Sequence, residues 1–164
     1  MDTTKTLTFG SLMGIFGAIA VFVSISFSFP GWVLFLAWVC FYLFGKSVKK
    51  SLSIYLHITL GIGLGILIQV FEVFLSTIVG DFGLYLAIFL LIGSLAFLTK
   101  IKGLGDLAAW FIGLIAFFGV EPPLEFSAIA QLLLLPLAVG FVFASVLDTI
   151  VAKFVHRQQA SLAK

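Results

Sequence analysis

The chain has 164 residues, of which 62% are apolar and only 10% charged, and its mean hydropathy is +1.29. Soluble domains carry about a quarter charged residues, so these values exclude a soluble globular protein. The formal net charge of +2 is better explained by the placement of a few basic residues than by a nucleic-acid partner. We therefore expect an integral membrane protein, with a single transmembrane domain over residues 1–164 and the lipid bilayer as its environment.

Six apolar segments predict an all-α, polytopic fold with six transmembrane helices. A hydrophobic core ~30 Å thick takes about 20 helical residues, with a range of about 17 to 25. The first segment shows no signal-peptide cleavage pattern, so we expect it to be retained. In chain order, the predicted helices cover residues 7–29, 31–45, 52–79, 82–99, 104–120 and 127–155.

The basic residues lie in alternate connections between these segments. All nine Lys and Arg residues fall in the N-terminus, "GKSVKK", "TKIKG" and the C-terminal tail. The other connections, "SFPGW", "VGDFG" and "VEPPLEF", hold three acids and no base. Basic residues collect in cytoplasmic loops, so both short termini are predicted to be cytoplasmic.

A weak internal repeat is present at a shift of 52 positions. The matching pairs are Gly31 and Gly83, Lys50 and Lys102, Leu52 and Leu104, and Gly61 and Gly113. This shift overlays segments two and three on segments four and five in the same orientation, although such matches arise readily in a Leu- and Gly-rich chain. We also expect the long third segment to tilt or to break at its glycines, and Pro136 to kink the sixth segment.

Small residues at helical spacing predict close contacts between helices, because helices in lipid associate through small residues that let backbones touch. They are Gly10, Gly14 and Gly17 in segment one, Gly61 and Gly65 in segment three, and Gly140 and Ala144 in segment six. They form contacts either within one chain or between subunits. Because six short helices make a thin wall around a pathway, we expect a homo-oligomer.

Polar residues share one face of the third segment. At about 100° per residue, Gly61, Gly65, Gln69, Glu72 and Ser76 lie within about 80° of one another. A carboxyl group facing lipid is costly, which favours a polar cavity along this face. In the alternative, Glu72 sits at the outer interface, where a carboxylate is cheap, and a break at the glycines would move it inward.

Two further titratable residues are candidates for function. His57 lies near the cytoplasmic end of the third segment, where it is either a proton relay or a histidine bonded to a neighbour. Asp148 lies near the cytoplasmic end of the sixth segment and either pairs with a lysine or lines an inner vestibule. No nucleophile with its base, phosphate loop or metal-ligand motif is present in the sequence, so we expect neither enzyme activity, nor a metal, nor a cofactor.

Three stretches carry a family resemblance: "SLMGIFGAIAVF", "PGWVLFLAWVCFYLFG" and "IGSLAFLTKIKGLGDLAAWFIGLIAFFG". They resemble a family of small bacterial inner-membrane proteins, the YcdZ-like domain of unknown function. The likeness spans nearly the whole chain and rests on the spacing of glycines and aromatic residues. The resemblance implies a bacterial inner membrane and a transport-related role, and it carries no binding residues with it.

Together these features predict an oligomeric channel or facilitator for a small polar solute, either urea- or amide-like or a small weak acid. The predicted pathway residues are Gly61, Gly65, Gln69, Glu72, Ser76 and Asp148. One alternative is a proton-coupled secondary transporter that uses Glu72. Another is a non-transporting accessory or scaffold subunit, in which the polar groups hold helices together.

Overall fold

The computed structural model describes the backbone of residues 3–162 and, apart from residues 4 and 5, the side chains of residues 3–154. Throughout this range the regular structure is helical, which confirms the predicted all-α fold. The helices are α1 (Thr3–Ser26), α2 (Gly31–Leu43), α3 (Val48–Val79), α4 (Gly83–Leu98), α5 (Leu107–Val120), α6 (Phe126–Ile129) and α7 (Leu135–Leu162). The terminal basic side chains used for the topology prediction, Lys5, Arg157 and Lys164, lie outside the described side chains.

Within the described residues, three helical segments are long and apolar enough to cross a membrane: Thr6–Ser26, Val48–Leu98 and Phe126–Phe154. The middle segment contains α3 and α4, joined by a 3₁₀ turn over Gly80–Phe82. The helices α2 and α5 are apolar but have only 13 and 14 residues, about 20 Å each, which is shorter than a hydrocarbon core. Helix composition thus indicates a membrane protein, while six crossings stay a prediction.

The described chain forms two compact units. The first comprises residues 3–51 and 130–162, in which α7 packs along α2 and α1 contacts both. Gly140 permits the close approach of α7, because a Cβ atom at this position would overlap the carbonyl oxygen of Leu34 and crowd Ala37. Phe16 and Phe143 meet edge to face, with ring centroids 6.2 Å apart, and so link α1 to α7.

The second unit comprises residues 52–129 and contains α3, α4 and α5. Here Gly61 faces Gly113 across a backbone contact, and a Cβ atom on Gly61 would overlap the carbonyl oxygen of Trp110. One turn later, Gly65 lies against the ring of Phe117. The Trp110 indole donates a 3.1 Å hydrogen bond to the carbonyl of Leu104 and so holds the start of α5.

The two short helices α2 and α5 bury the same set of positions. A shift of 76 residues takes every buried position of α2 to a buried position of α5. The buried residues are Val33, Leu34, Ala37, Trp38, Cys40 and Phe41 in α2, and Ala109, Trp110, Gly113, Leu114, Ala116 and Phe117 in α5. The two helices are therefore equivalent in packing although their side chains differ.

The helices α3 and α7 correspond in the same way at a shift of 79. Their matching buried positions are Ile54, His57, Ile58, Gly61, Ile62, Gly65 and Ile68 in α3, and Leu133, Pro136, Leu137, Gly140, Phe141, Ala144 and Leu147 in and just before α7. Leu64 and Leu75 of α3 have no buried counterpart. Gly61 and Gly140 also contact equivalent positions of their partner helices, the backbones of Trp110 and Leu34.

The chain thus divides into two halves, α1–α3 and α4–α7, of which α2 matches α5 and α3 matches α7 in the positions that are buried. The last helix of each half packs on a helix of the other half. In the second unit α3 packs on α5, and in the first unit α7 packs on α2. This arrangement differs from the predicted repeat. At a shift of 52, Gly31 and Gly83 both begin a helix, but the buried Val33 would match Tyr85, which is 68% exposed.

Two predicted helix distortions have different outcomes. The helix α3 runs without interruption through its glycines, because α5 covers Gly61 and Gly65 and keeps their backbone from water. The predicted break is therefore absent. At Pro136, by contrast, the missing N–H group cannot bond to the carbonyl four residues earlier. A π turn over Ala130–Leu134 precedes α7 at this point.

Candidate functional site

The polar face predicted on α3 divides into a packed part and an open part. Gly61 and Gly65 are buried against α5, so the space left by their missing side chains is filled. The prediction that these two glycines line a pathway does not fit this contact. Gln69 and Ser76 are exposed, and Glu72 is half-buried. The open part of the face therefore begins at Gln69.

Glu72 lies toward the far end of α3. Because α3 is continuous from Val48 to Val79, Glu72 is about 36 Å from its start and about 10 Å from its end. No break moves the carboxyl group toward the middle of the helix. This position favours the alternative in which Glu72 lies near the outer interface.

Gln69 and Asp148 occupy equivalent positions in the two halves. Gln69 follows Gly61 and Gly65 on α3 at the same spacing at which Asp148 follows Gly140 and Ala144 on α7. Gln69 is exposed and Asp148 is half-buried. Each half therefore carries one polar side chain a single turn beyond its packed pair of small residues.

Asp148 belongs to a polar cluster in the first unit that the sequence analysis missed. The carboxylate acts electrostatically on the hydroxyl of Tyr42, which also takes part in a side-chain hydrogen bond with Trp38. The Lys46 ammonium group lies 5.0 Å from the centre of the Tyr42 ring. Part of the signal was present in the sequence, because Trp38 and Tyr42 are four residues apart, about one turn of α2. Lys46 lies beyond the end of α2, where helical spacing does not apply.

A groove adjoins this cluster in the same unit. Its volume is about 290 Å³, and its walls are almost wholly apolar. It is lined by Met13, Gly17, Phe35, Trp38, Val39 and Tyr42. Trp38 and Tyr42 belong to both the groove and the polar cluster, so the two features share side chains.

His57 is buried in α3, with only 4% of its surface exposed. Its Nδ1 atom lies 2.7 Å from the carbonyl oxygen of Ser53. A carbonyl only accepts, so Nδ1 carries the hydrogen and donates it. In the neutral ring Nε2 then bears a lone pair, and no described group forms a hydrogen bond with it. Leaving a buried acceptor unpaired costs about 1–3 kcal/mol.

Several described hydroxyl groups on these helices bond to a carbonyl of their own helix. Thr59, Ser94 and Thr149, for example, donate to the carbonyls of Tyr55, Leu91 and Ser145 at 2.9, 2.6 and 2.8 Å. Such bonds let hydroxyl groups reside in apolar surroundings at little cost. Nε2 of His57 differs from these hydroxyl groups, because it is buried and forms no described hydrogen bond.

The small residues predicted for helix packing behave in two ways. Gly140 lies against α2, and Ala144 is fully buried. On α1, a Cβ atom on Gly10, Gly14 or Gly17 would meet no described atom within 4 Å. The glycine face of α1 is therefore open within the described chain.

Comparison with known proteins assigns the chain to a family without a known activity. A family model described as a protein of unknown function, DUF1097, matches residues 12–152, most of the described helices. The chain belongs to the DUF1097 family. Searches of curated proteins and of solved structures gave no match. The predicted resemblance is therefore confirmed at the level of an uncharacterised family, and any function of this DUF1097 protein has to come from its own residues.

Proposed function

We propose that this DUF1097 protein is an oligomeric channel or facilitator that passes a small polar solute across a bacterial inner membrane. The observation that carries the proposal is the equivalent placement of Gln69 and Asp148 in two equally packed halves. Polar side chains in membrane helices are costly and mark pathways far more often than lipid contacts. Structural repeats are also common in transporters.

The halves fit a topology with three crossings each. If α6 and α7 cross together as one segment, the second half enters the membrane with the opposite orientation to the first. Both termini then lie on the same side, and the basic residues of the alternate loops make that side cytoplasmic. This is the inverted arrangement found in several transporter folds.

The chemistry of the open polar groups favours a small neutral solute. Gln69 both donates and accepts hydrogen bonds, Tyr42 does the same, and Asp148 accepts. Urea and simple amides carry complementary donors and acceptors in a small volume, and small weak acids are a second fit. Glu72, nearer the outer end of α3, attracts or orients the solute before it enters.

Proton-coupled transport is a second candidate, favoured by the half-buried carboxyl group of Asp148 and the buried imidazole of His57. The two modes differ in their driving force. A passive channel equilibrates the solute with no pH gradient, whereas a coupled transporter accumulates it only when a proton gradient is imposed.

Stopped-flow light scattering on proteoliposomes tests the proposal. The panel is urea, acetamide, glycerol, formate and acetate, with empty liposomes as the control. We expect a protein-dependent permeability to at least one amide or weak acid. Permeability equal to empty liposomes for all five solutes, with and without a proton gradient, would overturn the proposal and favour an accessory subunit, to be sought by co-purification of a partner.

A further inference from the structure

We propose that Nε2 of His57 is the atom in the second unit that binds the transported solute, by accepting a hydrogen bond from an N–H or O–H group of that solute. The inference rests on the proposed function and extends it, because it names a binding atom and the group that it recognises. It also adds a site in the second unit, whereas the Asp148 cluster belongs to the first.

The orientation of the His57 ring supports the assignment. The hydrogen bond from Nδ1 to the carbonyl of Ser53 fixes both the tautomer and the ring position. Histidines that bind ligands commonly use one ring nitrogen to set the orientation and present the other to the ligand. His57 has the orienting bond, and its second nitrogen has no described partner.

The apolar neighbours of His57 on α3 also support the assignment. On α3 itself, the neighbouring buried positions Ile54, Ile58 and Gly61 carry no polar side chain, and no described group forms a hydrogen bond with Nε2. A buried water needs two to four polar partners, so one isolated acceptor is a poor water site. A solute that passes through brings its own carbonyl or hydroxyl groups and needs only one partner at this point.

The equivalent position in the other half carries no polar side chain. The position equivalent to His57 on α7 is Pro136, which is also fully buried. Of the seven buried positions shared by α3 and α7, only that of His57 carries a polar side chain. Packing alone therefore does not require an imidazole at this position, since a side chain without any hydrogen-bonding group fills the equivalent place.

The recognised group is a hydrogen-bond donor, so matched solutes that differ in donors test the assignment. Acetamide has two N–H donors, and N,N-dimethylacetamide keeps the carbonyl but has none. Urea and tetramethylurea form a second pair. Binding at Nε2 requires the N–H groups, so only acetamide and urea should interact with His57.

Nitrogen-15 NMR of the full-length protein in lipid bilayers reads the site directly, without any flux. Histidine is labelled selectively, and His156→Gln removes the only other histidine signal. We expect a neutral ring protonated at Nδ1, with an Nε2 resonance that shifts when acetamide or urea is added and stays in place with the methylated solutes. A ring protonated at Nε2, or a resonance that no solute shifts, would overturn the proposal.

Substitutions separate binding from folding. His57→Leu removes the unpaired acceptor and should leave thermal stability unchanged or higher, while His57→Gln keeps an acceptor near the same place. We expect His57→Leu to lower amide permeability about two- to tenfold, the effect of one hydrogen bond, with partial recovery in His57→Gln. Equal permeability in the wild type and in a folded His57→Leu variant would contradict the assignment.

The two proposals can fail separately. A solute-dependent shift at Nε2 without any flux would retain the binding site and refute the channel. Equal flux in the wild type and in His57→Leu, together with an unshifted Nε2 resonance, would retain the channel and refute the site.

Discussion

At the scale of single residues, polar groups in apolar helices are informative because each one needs a partner. Gln69, Asp148 and His57 were recognisable in the sequence, since each interrupts an apolar run. What they contact was not predictable. The bond from His57 Nδ1 to Ser53 depends on a side-chain rotamer, and the grouping of Asp148 with Tyr42 depends on how α7 packs on α2.

The Tyr42 hydroxyl is expected to contribute to solute passage. Tyr42→Phe removes the hydroxyl that forms a hydrogen bond with Trp38 and feels the charge of Asp148, and it should lower permeability about two- to tenfold with a loss of stability of about 1 kcal/mol. The control is Tyr85→Phe, at a tyrosine that is 68% exposed. Equal flux and equal melting temperatures in the two variants would refute a role for the cluster.

At the scale of helices, the small-residue pairs identified contact faces but not their partners. The spacing of Gly61 and Gly65 predicted a close contact, and α5 provides it. The repeat of the two halves escaped sequence reasoning because burial is repeated and residue type is not. Leu34 corresponds to Trp110, for example, and both backbones meet a glycine. The shift of 52 residues matched glycines and lysines that do not share an environment.

Alanine at the two types of glycine in α3 should have opposite effects on stability. Gly61→Ala puts a methyl group into the backbone of α5 and should cost about 1–3 kcal/mol. Gly63 has no atom within 4 Å of its Cβ position, so Gly63→Ala should be neutral or stabilise the helix by up to about 1 kcal/mol. Thermal unfolding in detergent measures both, and a Gly61→Ala variant as stable as Gly63→Ala would contradict the described contact.

At the scale of the whole molecule, two units with three main helices each are consistent with the composition, which allowed only a small membrane protein. The sequence predicted the positions of the connections well, because glycine, proline and charged residues mark them. The predicted bounds also made α2 and α5 the shortest of the six segments and α3 and α7 the longest, as the structure has them.

The predicted topology can be tested by cysteine accessibility. On a Cys40→Ser background, Asp81→Cys should react with a membrane-impermeant maleimide in intact spheroplasts, and Ser47→Cys should react only after permeabilisation. Asp81 and Ser47 lie in connections on opposite sides of the predicted membrane. Identical labelling of the two variants would exclude a crossing by α3.

The open glycine face of α1 is expected to form the contact between subunits. A Cβ atom on Gly14 would meet no described atom within 4 Å, so Gly14→Ile should dissociate the oligomer and leave the melting temperature of the monomer unchanged. Light scattering in detergent measures the mass. Gly93→Ile on α4, another glycine with open space around it, is the control. An oligomer that survives Gly14→Ile would place the subunit contact elsewhere.

Gln69 and Asp148 are each expected to take part in the passage of a small polar solute, and the permeability of proteoliposomes containing Gln69→Ala or Asp148→Ala measures this. Val70→Ala and Val146→Ala, at exposed apolar positions of the same helices, serve as matched controls. We predict that each polar variant lowers the permeability to urea or acetamide about two- to tenfold, while the controls match the wild type. Folded polar variants that are as permeable as the controls would contradict the account.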